Sequence, residues 1–271
     1  MNTFKRSLRD NLLFGLSKVY GGNVPTILMF HSISDTVSPV TDSPKFLYNL
    51  LQHLKKIGRR FITMDAVTDS YVKGNPLADE AICLTFDDGY KDNLVEALPI
   101  LSELQIPATI YVATEPIINR NADCGTPGIP LCTRDELDRL AASPLITIGS
   151  HTVNHLRLSA ISKETAWKEI AMSKSVLEMW LQRPVLHFSY PYGSFSAETV
   201  ELVKKAGYYS AVCTIQGHFE PKGNPFAIRR IQVDLPAWLY SICGKKALTV
   251  YYQKIDPIVT ATGTRGPKTA I

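Results

Sequence analysis

The sequence predicts an α/β fold, a closed or nearly closed parallel (β/α) barrel, on three observations. Short apolar runs alternate with stretches of helical period roughly six to eight times, a pattern that joins parallel strands through helical crossovers. A chain of 271 residues has the size of a single-domain barrel. Carboxylates and imidazoles gather where predicted strands end, at Asp87-Asp88 after "AICLTF" and at His151 after "PLITIGS", and the C-terminal strand ends are where such a barrel carries its chemistry.

The elements follow in order. Residues 1–22 read as an amphipathic helix: Phe4, Leu8, Leu12, Leu16 and Val19 recur at helical spacing, and Lys5, Arg6, Arg9 and Lys18 lie mostly off that stripe. Such a helix either packs on its own domain or lies in a membrane interface as a peripheral contact. Its apolar part is short and interrupted by Lys18, unlike a signal peptide, and no run in the chain reaches the roughly 18 apolar residues of a membrane span. The main domain is expected over 23–255. In it "TILMFHSI" reads as a strand, "PKFLYNLLQHLKKIG" as a helix closed by Gly58, "AICLTF" as a strand, "NLVEALPILSELQ" as a helix and "ATIYVAT" as a strand. Thr133 with Glu136 three residues on is a capping-box pattern. "PLITIGS" is a strand, Ser162 opens a helix through Leu181, "VLHFSY" is a strand, "SAETVELVKKAG" a helix, and "YYSAVCT" and "FAIRRIQV" are strands. "PAWLYSICGKKALTVYYQK" reads as a helix whose aromatics pack, and residues 256–271 as a frayed tail.

Composition narrows the function classes. With 45% hydrophobic and 20% charged residues the chain is an ordinary globular protein, and a net charge of +4 without a basic patch gives no support for nucleic-acid binding. Five cysteines without CxxC spacing imply neither a full disulfide framework nor a zinc knuckle. Cys83 and Cys213 sit in apolar runs as core residues; Cys124 and Cys132 share one loop, and whether they pair is left open.

The chemistry lies in "LTFDDGYKDN" and "SHTVNH". Two adjacent carboxylates at the end of a buried strand either turn out to solvent ahead of Gly89 or stand beside a cation that keeps one of them ionised. His151 and His155 are four apart, a spacing that on one helical turn lets two imidazoles reach one metal. Together with the carboxylate pair they form a two-His, one-carboxylate set of the kind hydrolytic metal sites use.

Here the sequence resembles the polysaccharide deacetylases of carbohydrate esterase family 4. "TFDDGY" (85–90) is similar to the family's first motif, "SHTVNH" (150–155) to its second and "FSYPYG" (188–193) to its third, and the likeness runs over roughly residues 24–235. The resemblance implies a distorted (β/α) barrel, a divalent metal, usually Zn2+, and hydrolysis of an N-acetyl group on an amino sugar. By position it implies that Asp88, His151 and His155 ligate the metal, that Asp87 is the general base, and that Tyr192 after Pro191 binds substrate and offers a backbone N–H to the developing oxyanion.

Two departures stand out. Many members carry an arginine where this chain has Ser189; Arg229 or Arg230 is expected to position Asp87 in its place. The family's late acid histidine is also missing, and His218 sits in a loop. Some relatives look circularly permuted, with that histidine on an N-terminal strand similar to "TILMFH", so His31 is the candidate acid. His53 reads as surface and His187 as core. The expected substrate is an N-acetylated glycan, as a polysaccharide or a lipid-linked precursor, with the enzyme cytoplasmic or peripheral to the inner face of the cell membrane. Another amide or a formyl group, or glycan binding without catalysis, are the alternatives.

Overall fold

The computed structural model describes residues 24–36, 38, 40–119 and 126–233. The expected helix over 1–22, with the membrane contact assigned to it, the C-terminal aromatic helix, the tail at 256–271 and Cys124 all lie outside these residues. The densely contacting unit is Val24–Val233.

Ten strands occur among the described residues: β1 (Thr26–Phe30), β2 (Ser32–Ile33), β3 (Thr41–Asp42), β4 (Arg60–Ile62), β5 (Ala81–Phe86), β6 (Ala108–Val112), β7 (Ile146–Ser150), β8 (His187–Ser189), β9 (Ser210–Gln216) and β10 (Ile228–Gln232). The α-helices are α1 (Pro44–Lys56), α2 (Met64–Lys73), α3 (Leu98–Leu104), α4 (Glu115–Ile118), α5 (Arg134–Ala141), α6 (Lys163–Leu181) and α7 (Ala197–Lys205). The main sheet runs β1-β10-β9-β8-β7-β6-β5 and closes because β1 also pairs with β5; β4 pairs with the first half of β5, Ala81 to Cys83, and β6 with the second, Leu84 to Phe86. Every pairing is parallel. The result is a closed (β/α) barrel of seven strands. Its strands carry no polar–apolar alternation, because both faces are covered: β1, β5 and β6 are buried at every position.

The helices begin where side-chain caps allow. Ser43, Thr133, Ser162 and Ser196 each accept a bond from the third residue beyond, and Thr133 with Glu136 completes the expected capping box. Helix α2, which the sequence did not announce, is a short helix capped by Thr63 and closed by Gly74 in the left-handed conformation. Its Met64 and Val67 join Ile27, Cys83, Tyr111, Val212, Phe219 and Ile228 in one core cluster, so α2 and the loop before β10 fill the N-terminal end of the barrel. Chemistry is thereby left to the other end.

The expectation that His151 and His155 share a helical turn is corrected. The chain leaves β7 as an irregular loop, and Thr152 and His155 both take positive φ, 71° and 56°. Hydrogen bonds of the loop with Glu169 on α6 and with the start of α4, rather than helical spacing, hold the two rings together.

Candidate metal centre and active site

Strand parity places the first carboxylate. Along β5, Cys83, Thr85 and Asp87 point into the barrel, and Asp88 would point out of it. Left-handed φ at Asp88 (71°) and Gly89 (75°) turns the chain over the strand end and returns the Asp88 carboxylate to the same cavity. A non-glycine residue in that region costs on the order of 1–2 kcal/mol. Of the six non-glycine residues with positive φ among the described residues, Asp88, Thr152, His155 and Tyr192 lie at this site, whereas Gln105 and Gln182 are helix C-caps. Backbone strain therefore concentrates where the polar side chains converge.

Asp88 Oδ1 lies 3.5 Å from His151 Nε2 and 3.2 Å from His155 Nε2, and the two imidazole nitrogens are 3.1 Å apart. Ligands about 2.0–2.1 Å from a tetrahedral ion stand roughly 3.3–3.4 Å from one another, so the triangle has the size of one small cation. The chemistry of the donors fits as well. His151 Nδ1 donates to the Ser189 carbonyl at 2.8 Å, which leaves Nε2 of the neutral ring with a lone pair facing the site. No other cluster of three His, Cys, Asp or Glu side chains among the described residues meets the spacing of a metal site.

Electrostatics keeps both carboxylates charged despite burial. Burial pushes Asp88 up, but its bonds to His151 and His155 and the nearby charges of His31 and His151 hold it well below the usual carboxylate range. Burial also pushes Asp87 up, and here the Arg230 guanidinium outweighs it by charge and hydrogen bonding, with His151 and His31 assisting. Burial lowers both imidazoles. The Asp88 bond and the two aspartate charges lift His151 above its ordinary value, while His155, repelled by His151, stays below.

Asp87 is 2% exposed and makes a two-pronged pair with Arg230, Nη1 to Oδ1 and Nη2 to Oδ2, each at 2.7 Å. Ser189 Oγ donates to Oδ2 at 3.3 Å and accepts from Arg230 Nη2 at 3.1 Å. Nη1 also reaches Thr85 Oγ1, and Nε donates to the Cys213 carbonyl. Of the two arginines expected here, parity selects Arg230: it points inward from β10 and is fully buried, while Arg229 points outward to Glu220. Ser189 and Arg230 thus hold Asp87 together, and Oδ1 of Asp87, which accepts from Arg230 Nη1, has a second lone pair for another donor.

His31 follows β1 directly. Phe30 pairs with Phe86 in register, and the Asp87 N–H donates to the Phe30 carbonyl at 2.9 Å, so His31 stands beside Asp87 at the barrel rim. It is close enough for its charge to act on both carboxylates, and its ring makes no hydrogen bond among the described residues. Its carbonyl is held by Asn93 Nδ2 at 2.9 Å, and Asp92 Oδ2 accepts from Ser32 Oγ at 2.6 Å. Asn93 opens a π-helical turn, Asn93–Ala97, a distortion frequent at functional sites. Asp92 and Asn93 lie in the quoted motif, yet sequence reading gave them no role.

Pro191 and Tyr192 lie on the turn after β8. Tyr192 has φ 58°, its ring packs on His155 at 4.6 Å between centroids, and the Arg157 guanidinium covers that ring at 4.0 Å. The other histidines do not join: His187 is buried against Ser210 and Asp65, and His218 bonds Thr26 at the start of β1, at the barrel's opposite end. His53 is half-buried on α1.

Residues 74–211 match the family model for polysaccharide deacetylases. The chain is 27% identical over 208 residues to YxkH of Bacillus subtilis, covering 77% of this chain and 71% of that one. It is 22% identical over 223 residues to the poly-beta-1,6-N-acetyl-D-glucosamine N-deacetylase of Staphylococcus aureus, covering 79% and 75%. Among solved structures, the Streptococcus pyogenes deacetylase PplD in complex with acetate superposes with a TM-score of 0.68 at 25% identity, covering 78% of this chain and 92% of that one.

Proposed function

Because the chain belongs to the polysaccharide deacetylase family, we propose that it is a metal-dependent hydrolase that removes the N-acetyl group from an amino sugar, on a polysaccharide or a lipid-linked glycan precursor. The observation that carries this reading is the convergence of three lone-pair donors, Asp88, His151 and His155, beside a second carboxylate locked by Arg230. A metal there would be held by Asp88 Oδ1, His151 Nε2 and His155 Nε2, and zinc suits this donor set. When bound it would polarise the acyl oxygen and lower the pKa of water.

The chain's own residues supply the rest. Asp87, anionic because of Arg230, takes a proton from the attacking water through Oδ1. The Tyr192 backbone N–H donates to the oxygen on which negative charge develops, and Pro191 sets the turn that presents it. His31, beside Asp87 at the barrel rim, gives a proton to the departing sugar nitrogen. Water and amide become acetate and free amine, with one proton taken at Asp87 and one delivered from His31. That the Staphylococcus aureus relative is named for poly-beta-1,6-N-acetyl-D-glucosamine, and that PplD was solved with acetate, support an N-acetylglucosamine substrate and an acetate product.

The test is the metal content of wild type beside Asp88→Ala, together with acetate release from β-1,6-linked N-acetylglucosamine oligomers and lipid-linked N-acetylated precursors. The expected result is near-stoichiometric zinc and acetate release in wild type, both lost in the variant. Metal without acetate from any sugar would refute the substrate class, and no metal in either protein would refute the site.

A further inference from the structure

Glu169 is a carboxylate on the buried face of α6, 4% exposed, and no cation pairs with it among the described residues. A buried, unpaired carboxylate is costly unless hydrogen bonds satisfy it. Here three do. Oε2 accepts from the backbone N–H groups of Val153 at 3.1 Å and Asn154 at 2.8 Å, and Oε1 accepts from Asn154 Nδ2 at 2.6 Å. These donors belong to the loop between His151 and His155.

That loop has no helix or strand of its own to hold it. Its carbonyl side is held by the start of α4, with the N–H of the N-cap Thr114 on the Thr152 carbonyl and Glu115 N–H on the Val153 carbonyl. Its N–H side is held by Glu169. Between them Thr152 and His155 sit in the left-handed region, and Thr152 Oγ1 accepts from the His155 N–H at 3.0 Å. Without Glu169, the Val153 and Asn154 N–H groups would lose their acceptor on the buried side of α6, where the flanking residues Ala166 and Ile170 offer no side-chain oxygen. The cheapest relief is for the loop to relax out of its strained φ values, and that carries the His155 ring away from His151 and Asp88.

We infer that Glu169 is a positioning residue for the metal centre: it fixes the loop that sets the second imidazole 3.1 Å from the first. The inference rests on Asp88, His151 and His155 being the metal ligands. It assigns Glu169 no contact with substrate or metal.

The experiment measures zinc affinity of metal-stripped full-length protein by competition with a chromogenic chelator, and the visible spectrum of the Co2+-loaded form. Glu169→Ala, Glu169→Gln, His155→Ala and Ser196→Ala are compared with wild type. Removing a group that orients a ligand typically weakens metal binding about 10- to 100-fold. Glu169→Ala is expected to show that loss with an altered Co2+ spectrum, and Glu169→Gln, which keeps one acceptor oxygen, a smaller loss. Ser196→Ala removes the α7 cap, lowers the melting temperature and leaves zinc affinity unchanged, separating positioning from general stability. If Glu169→Ala does not fold, the isosteric Glu169→Gln decides alone. Wild-type zinc affinity and Co2+ spectrum in a folded Glu169 variant, while His155→Ala is impaired, would overturn the inference. Unimpaired zinc binding in His155→Ala would instead overturn the ligand set beneath it.

Discussion

Replacing Arg230 by Met tests how the base is kept ready. The guanidinium is fully buried and makes both 2.7 Å bonds to Asp87, so Met fills much of the volume and removes only the charge and the donors. Breaking one half of a buried ion pair costs about 3–5 kcal/mol, which in a domain of this size lowers the melting temperature by about 6–20 °C. The sign of the pH dependence follows from the carboxyl. In wild type its pKa is depressed, so the pair's stabilisation is present above the unfolded carboxyl's ordinary value and is lost as pH falls through the lower folded one. In the variant burial acts unopposed by Arg230, the carboxyl titrates higher, and the destabilisation grows as pH rises. Catalysis follows the same proton: a base protonated near neutral pH forfeits general-base assistance, about 10²–10⁴ in rate. The assay is the pH profile of kcat/KM for acetate release, beside thermal melts at acid and neutral pH. The expected result is a lower plateau with its acid limb moved toward neutral, and a melting deficit that shrinks at low pH. A folded Arg230→Met protein with the wild-type acid limb and turnover would refute the coupling of Arg230 to Asp87.

His31→Ala should keep zinc at the wild-type stoichiometry and lose about 10²–10⁴ in kcat, because it removes a proton donor and no metal ligand; normal turnover would take His31 out of the reaction. Gly193→Ala should unseat the Tyr192 turn, since Gly193 has φ 63° and an added Cβ would clash with Thr214 Oγ1 and sit 2.9 Å from its backbone nitrogen. A loss of activity at retained zinc content is the expected reading, and wild-type kcat would show that the turn tolerates the shift. Holding the wild-type enzyme with a strong chelator should abolish acetate release, with recovery on adding Zn2+; activity persisting at undetectable metal would contradict the proposed centre.

Much of this protein is legible in one dimension. The run "AICLTF" is apolar throughout because a parallel strand is covered on both faces, and Thr133 with Glu136 marks a helix start because the cap is a local bond. Asp87-Asp88 and the two histidines stand out because, taken together at two strand ends, they make a two-His, one-carboxylate set. What tertiary structure decided is of another kind. Arg230 rather than Arg229 meets Asp87 because β10 alternates and closes against β1, a fact of pairing between strands far apart in sequence. His31 reaches the rim beside Asp87 for the same reason. The turn joining His151 to His155 is no helix, because its N–H groups are held by Glu169 and its carbonyls by residues 114 and 115. Glu169 reads in sequence as one more charge on a long helix; only its place on the stripe with Ala166, Ile170 and Ser173 hints that it is buried. The residue types and their order therefore named the chemistry, whereas the closed barrel, through contacts that no local pattern encodes, chose which neighbours hold each reacting group in place.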